Sequence, residues 1–306
     1  MTVSPGIVVV GSLNIDLVTR VERLPLPGET LTAEDFEIHC GGKGANQAYA
    51  AAKLGGHVTL VGCVGSDAYG RQLLENLARA GVEVGAVDLA PDLPSGMALV
   101  TVDPAGENQI VVVPGANEAL TPARLEHSRA LFSSAAVVLL QLEVPLPTVE
   151  AAARLGREAG ALVILDPAPA RPLPDALLSD VDYVTPNVTE LTALTASAVT
   201  ISRRAHELLD RGVRGVIVTL GEQGAELVTR GREHHWQPRP TPVVDTTGAG
   251  DTFNAALAVA LTRGADIDQA GDFACAAASL SVVRRGAQSS MPTADEVMAH
   301  MRPRNG

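Results

Sequence analysis

The chain has 306 residues, 46% of them hydrophobic and only 3% aromatic, and carries a formal net charge of −12. That length holds two average domains or one large α/β domain, and a Val, Leu, Ile and Ala core suits buried strands covered by helices. The acidic balance excludes the electrostatic footprint of a nucleic-acid binder or of a protein docked on an anionic membrane.

Cys40, Cys63 and Cys275 are widely spaced and form no CxxC pair, so reduced thiols in the cytoplasm are the expectation. Residues Met1 to Gly6 lack the basic and apolar stretches of a leader, and no run approaches the roughly 18 apolar residues that span a bilayer. A cytoplasmic location follows as an expectation.

In chain order, Ile7–Val10 reads as a buried strand leading into Gly11-Ser12-Leu13-Asn14-Ile15-Asp16. Asp16–Cys40 reads as a β-hairpin around the turn Leu24-Pro25-Leu26-Pro27-Gly28. Next comes Cys40-Gly41-Gly42-Lys43-Gly44-Ala45-Asn46-Gln47-Ala48, opening a helix over Ala45–Leu54. Paired glycines allow close backbone approach, and Lys43 and Asn46 offer donors to hydroxyls or phosphate. It is not a Walker loop, and alone it is equally a strand-to-helix turn.

A strand at Val58–Val61 and a helix at Tyr69–Ala80 follow, then a second hairpin, Ser95–Pro114, with a loop at Asp103 to Asn108. Beyond it, strands at Ala136–Leu140, Leu162–Leu165, Asp182–Thr185 and Gly215–Leu220 alternate with helices at Pro147–Ala159 and Ile201–Arg211. Such alternation predicts an α/β fold, a mostly parallel sheet with helices on both faces. The two hairpins predict a small lid whose apolar face needs a cover: the main body, a ligand or a second subunit. Met97, Met291 and Met298 read as packing residues, and His234-His235-Trp236 as a surface strand with no partner at metal spacing.

The strongest chemical signal is Asp245-Thr246-Thr247-Gly248-Ala249-Gly250-Asp251, directly before a helical pattern over Thr252–Arg263 and a second over Gln269–Val283. Small residues opening a helix leave amides free for an anion, and the helix dipole favours negative charge there. A carboxylate beside such a site is misplaced unless it takes a proton from a hydroxyl that attacks the phosphate. Read alone, the motif is also a plain helix cap after a tight turn.

Taken together, these motifs resemble the pfkB family of carbohydrate kinases, with its three-layer α/β fold, over essentially the whole chain. Residues 11–16 look like the family's sugar-binding strand end, 41–46 its N-terminal signature and 245–251 its C-terminal one. Asn187-Val188-Thr189-Glu190 resembles its NxxE motif, with Val188 where many relatives carry Glu, and Thr219-Leu220-Gly221-Glu222-Gln223-Gly224 its nucleotide loop. The run GGKGANQA, Val111 to Asn117, Gln141-Leu142-Glu143 and Arg285 to Ser290 look like the branch that acts on ribose.

The resemblance implies one kinase domain over 1–306, with lid hairpins at about 16–40 and 95–114, that phosphorylates D-ribose on its primary hydroxyl with ATP and Mg²⁺. Asp251 would be the base, with Gly248, Ala249 and Gly250 as the anion hole. Asn14, Asp16, Gly42, Lys43, Asn46 and Glu143 would hold the sugar. Asn187, Glu190, Thr219, Leu220, Gly221, Gly224, Gly250 and Cys275 would serve the nucleotide and its Mg²⁺. Asp245, Thr247, Ser281, Arg284, Gly286 and Ser290 would cage K⁺, unless Arg284 or Arg285 neutralises Asp245 as an ion pair. A homodimer through the lid is the expected assembly, with no nucleic-acid or membrane partner. Another sugar or nucleoside kinase of the family, for deoxyribose or a ketose, is the alternative, and a non-catalytic sugar or nucleotide sensor a further one.

Overall fold

The computed structural model describes residues 6–196 and 200–302, so most of the N-terminal segment expected to lack a leader lies outside the described residues. Strands of two to eight residues form a nine-stranded sheet. In it β1 (Gly6–Val10) is flanked by β4 (Val58–Gly65) with β5 (Glu83–Ala90) beyond it on one side. On the other side lie β8 (Ala135–Leu140), β9 (Leu162–Leu165), β10 (Tyr183–Val184), β11 (Gly215–Thr219), β12 (Ala225–Thr229) and β13 (Glu233–Trp236). All neighbours from β5 to β11 pair in parallel; β12 and β13 are antiparallel additions at one edge.

Alternation along each strand sorts the core into two halves. Ile7, Val9, Val137 and Leu139 pack under the helices Lys43–Lys53, Ala249–Thr262 and Ile267–Ser281. Val8, Val10, Val138 and Leu140 pack under Leu146–Glu158 and Ile201–Asp210. This is the three-layer α/β fold expected from the sequence.

The two predicted hairpins join into one sheet rather than standing apart. Its order is β3 (Asp35–Gly41), β2 (Asn14–Arg20), β6 (Gly96–Val102), β7 (Asn108–Val113), with β2 and β6 running parallel between the hairpins' outer strands. One face carries the row Ile38, Leu17, Leu99 and Val111; the other carries His39, Asp16, Ala98 and Val112.

Two sequence expectations need correction. Trp236 is not at the surface: it is 1% exposed, donates Nε1–H to the Asp268 carbonyl at 2.9 Å and meets the His234 ring edge-on. Met298 is 54% exposed, so of the three methionines it does not act in packing, whereas Met291 is buried. All three cysteines are free. Among the described residues no helix is long and apolar enough to cross a membrane.

Candidate active site

The predicted residues converge at the carboxyl ends of the parallel strands, where an open α/β sheet offers its crevice. Ser12 follows β1, Gln141 and Glu143 follow β8, Asp166 follows β9, Thr185 and Asn187 follow β10, and Leu220 follows β11. A cavity of about 210 Å³ opens there. Lys43, Asp166, Asn187, Glu190, Thr219 and Asp251 line it, together with Gly248 to Gly250.

Gly248 caps the Ala249–Thr262 helix with φ of 76°, a left-handed conformation that favours glycine. The first turn of a helix has amides without intrahelical partners. Of the predicted trio, Ala249 N–H donates to the Thr246 carbonyl at 3.2 Å, whereas the Gly250 and Asp251 amides make no such turn bond. Asp251 itself is 5% exposed. Its Oδ2 accepts from Asn46 Nδ2 at 2.9 Å and its Oδ1 from Gln47 Nε2 at 3.2 Å, with Lys43 Nζ 4.0 Å away. Burial pushes its pKa up to about 6 against the pull of Lys43, with Asp166 adding to the rise.

Asp166 was not anticipated, although a lone Asp directly after a buried parallel strand was the available signal. It is 4% exposed, and its Oδ2 accepts from Gln47 Nε2 at 3.0 Å and Lys43 Nζ at 3.4 Å. Burial raises its pKa, with Lys43 opposing. Burial works against the Lys43 charge, yet Asp166, Asp251, Glu143 and Glu190 together push its pKa upward, so Lys43 is a permanent cation facing the cavity.

Next to this cavity lies the predicted sugar pocket. Glu143 Oε2 accepts from Ser12 Oγ at 2.6 Å, Lys43 N at 3.0 Å and Asn14 Nδ2 at 3.5 Å, which ties strand ends β1, β2 and β8 together. Asn117 Nδ2 donates to Asn14 Oδ1 at 2.8 Å and so fixes which way that amide faces. Asp16 packs so closely on Gly41 that a Cβ there would lie 2.2 Å from its Oδ2. Burial raises the Asp16 pKa to about 7, with Glu143 adding to it and His39 opposing.

Asn187 and Glu190 form a reciprocal capping box, Glu190 N–H to Asn187 Oδ1 at 2.9 Å and Asn187 N–H to Glu190 Oε2 at 2.8 Å, while both line the cavity. Leu220, Gly221 and Gly224 form the turn between β11 and β12, closed by Leu220 N–H to the Gly224 carbonyl at 2.8 Å. Cys275 is buried in the apolar cluster and is not among the cavity's lining residues; burial pushes its thiol up to about 12, helped by Asp272.

Asp245 joins two loops. Its Oδ1 accepts from Thr247 N and Oγ1, and its Oδ2 from Gly286 N at 2.8 Å. Burial raises its pKa, but those donors outweigh it and hold the carboxyl below its ordinary value. Arg284 pairs instead with Glu296 at 2.8 Å, so it does not neutralise Asp245.

The arrangement suits phosphoryl transfer between an anion at a helix N-terminus and a polyhydroxy acceptor held near Asp251. The model of the pfkB family carbohydrate kinases matches residues 4–294. The chain belongs to the pfkB family of carbohydrate kinases. Among its pfkB relatives, a ribokinase of Bacillus subtilis is 42% identical over 292 residues, covering 95% of this chain and 98% of that one. A deoxyribokinase of Salmonella typhi is 38% identical over 295 residues, covering 95% and 96%. The Arabidopsis thaliana ribokinase solved with ribose and ATP superposes with a TM-score of 0.92 at 38% identity, covering 98% of this chain and 99% of that one.

Proposed function

We propose that this pfkB kinase transfers the γ-phosphate of ATP to the primary hydroxyl of D-ribose, giving ribose 5-phosphate and ADP. The observation that carries the reading is Asp251, a buried carboxylate with a raised pKa that shares one cavity with a helix N-terminus. Asp251 takes the hydroxyl proton, the freed oxygen attacks the γ-phosphorus, and the bond to the β,γ-bridging oxygen breaks as ADP leaves. A base with a pKa near the working pH is ionised yet still basic enough to accept that proton. The helix-start amides and Lys43 face the charge that grows on the phosphoryl oxygens.

Asn14, Asp16, Gly42, Lys43, Asn46 and Glu143 offer the donor and acceptor pairs that vicinal sugar hydroxyls need. Asn187, Glu190, Thr219 and the Leu220 to Gly224 turn receive the nucleotide. The small sheet is the lid of a single kinase domain, and its closure over the sugar keeps water from the phosphate.

A hydrated Mg²⁺ fits the cavity: Asp166 and Glu190 line it with carboxylate oxygens, and so does Asn254, whose Oδ1 is buried with no hydrogen-bond partner. Bound there, the ion neutralises phosphate charge. K⁺ suits the loops around Asp245, a carboxylate held ionised that Thr247 and Gly286 contact, with Ser281, Arg284 and Ser290 as the further oxygen donors the resemblance implies. The exposed apolar row of the small sheet favours a homodimer, and the free thiols a cytoplasmic setting.

Similarity to a deoxyribokinase makes 2-deoxyribose the competing acceptor. Turnover with ATP on ribose, 2-deoxyribose, fructose and adenosine separates them. Ribose is expected to give the highest kcat/KM; a higher value for 2-deoxyribose or fructose overturns the substrate, and no turnover on any, with nucleotide still bound, favours a sensor.

A further inference from the structure

Asn46 and Gln47, the two residues that hold the Asp251 carboxylate, are themselves held by further amides. Gln288 Nε2 donates to Asn46 Oδ1 at 3.0 Å, and Asn76 Nδ2 donates to Gln288 Oε1 at 2.6 Å. On the other side, Gln141 Nε2 donates to Gln47 Oε1 at 2.7 Å, while Gln47 Nε2 spans Asp251 and Asp166. Asn46, Gln47, Gln141 and Gln288 are all at most 7% exposed.

Chemistry fixes the direction of every link. An ionised carboxylate only accepts, so the Asn46 and Gln47 NH₂ groups must face Asp251. Their carbonyl oxygens then face away and need donors, which only the NH₂ ends of Gln288 and Gln141 supply. Gln288 thereby turns its own carbonyl to Asn76. The acceptor at one end orients five amides drawn from places as distant in the chain as residues 46, 76, 141 and 288. The converse also holds: reversing the far amide turns each link until a carbonyl oxygen faces the Asp251 carboxylate, where the two repel.

We propose that Asn76–Gln288–Asn46 and Gln141–Gln47 are two amide relays that hold the Asp251 carboxylate in the orientation that meets the sugar hydroxyl, with Asn76, Gln288 and Gln141 as positioning residues. This rests on Asp251 being the base. Each Asp251 oxygen accepts one relay amide and keeps a further lone pair for the hydroxyl. Neither Asn76 nor Gln141 lines the cavity, so each acts only through the amide ahead of it. The charged groups around the base are Lys43 and Asp166, with Asp16 across the sugar pocket and Glu143 and Glu190 acting on Lys43 and Asp166. None of them is altered by a change at Asn76.

The test is Asn76→Asp, which replaces the terminal donor of one relay by a group that only accepts, on a half-buried position of the Ala68–Arg79 helix. Asn76→Ala, which leaves Gln288 free to keep its orientation, is the comparison. Asn76→Asp is expected to lower kcat about tenfold near pH 7, to move the acid limb of kcat/KM up by about one pH unit, and to leave KM for ATP within about twofold. Asn76→Ala, which removes the terminal donor without reversing the relay, is expected to lower kcat only about threefold and to leave the acid limb in place. The limb shift should persist at about 0.5 M salt, which screens a remote charge but not a reversed hydrogen bond. An unchanged limb, a shift abolished by salt, or equal losses in both variants with a lowered Tm overturns the relay. Near-normal kcat in Asp251→Asn instead removes the base itself, and that result is read independently of Asn76.

Discussion

Asp16 stands among the residues proposed to hold the sugar, with its carboxylate packed on Gly41, and burial with the nearby Glu143 charge pushes its pKa up to about 7. An unfolded Asp titrates near 3.9, so between roughly pH 4 and 7 the native state holds a proton that the unfolded chain has lost. Stability linked to this group is therefore present at low pH and lost as pH rises through 7. Asp16→Asn should raise Tm by a few degrees at pH 8, at most about 4 kcal/mol, and leave Tm unchanged near pH 4. The same variant should lose about 10²-fold in kcat/KM for the sugar, because a charged acceptor of its hydroxyls is gone. Thermal melts at the two pH values check the first part, and an equal Tm at pH 8 counts against a strained carboxylate. Asp251, Glu143 and Lys43 were legible in the sequence because each lies in or beside a compact motif. Asp166, Gln141 and the inner role of Gln47 were not, since their meaning lies in partners 94 to 204 positions away.

At the scale of elements, the central strands and long helices were legible because their hydrophobic periods are strong and their ends carry caps, such as Asp67 accepting from Gly70 N–H. Edge strands were harder. β5 reads EVGAVDLA with only its last residue buried, too mixed to reveal a strand, and the short helices Val188–Leu194 and Ala294–Met301 offer barely two turns of pattern. The hairpins were visible as hairpins, but the parallel β2–β6 pairing that joins them depends on contacts about 80 residues apart. The loop pair around Asp245 carries its own prediction. Gly286 N–H to Asp245 Oδ2 and the Val244 and Asp245 amides to the Val282 carbonyl tie residues 244–247 to 282–286, directly before the Gly248 turn. A K⁺ ion drawing these oxygens together would steady the helix start proposed to face the γ-phosphate. Replacing K⁺ by tetramethylammonium at constant ionic strength and saturating Mg-ATP should cut kcat several-fold, and K⁺ should restore it. Equal rates in the two salts, in protein freed of K⁺, remove the ion from the mechanism.

Across the whole molecule, the small sheet presents Phe36, Ile38, Leu99 and Val111 on the face opposite Asp16, at 54%, 42%, 46% and 60% exposure. A contiguous apolar strip of this kind is costly in water, and a second copy of the same sheet is a cover of matching chemistry. Light scattering at micromolar concentration should therefore give a dimer, and Leu99→Lys should shift it toward monomer; a fully active monomer of the unaltered chain contradicts the shared lid. The sequence made the apolar face legible but not its extent, because Phe36 and Val111 meet one surface only once β2 and β6 pair. The central claim, that Asp251 accepts the sugar proton, is tested most directly by the kinetics of Asp251→Asn with ribose and ATP. Loss of a positioned base predicts a fall in kcat of about 10² to 10⁴-fold with nucleotide affinity retained. A folded Asp251→Asn protein that keeps a kcat within a few-fold of the unaltered enzyme contradicts it.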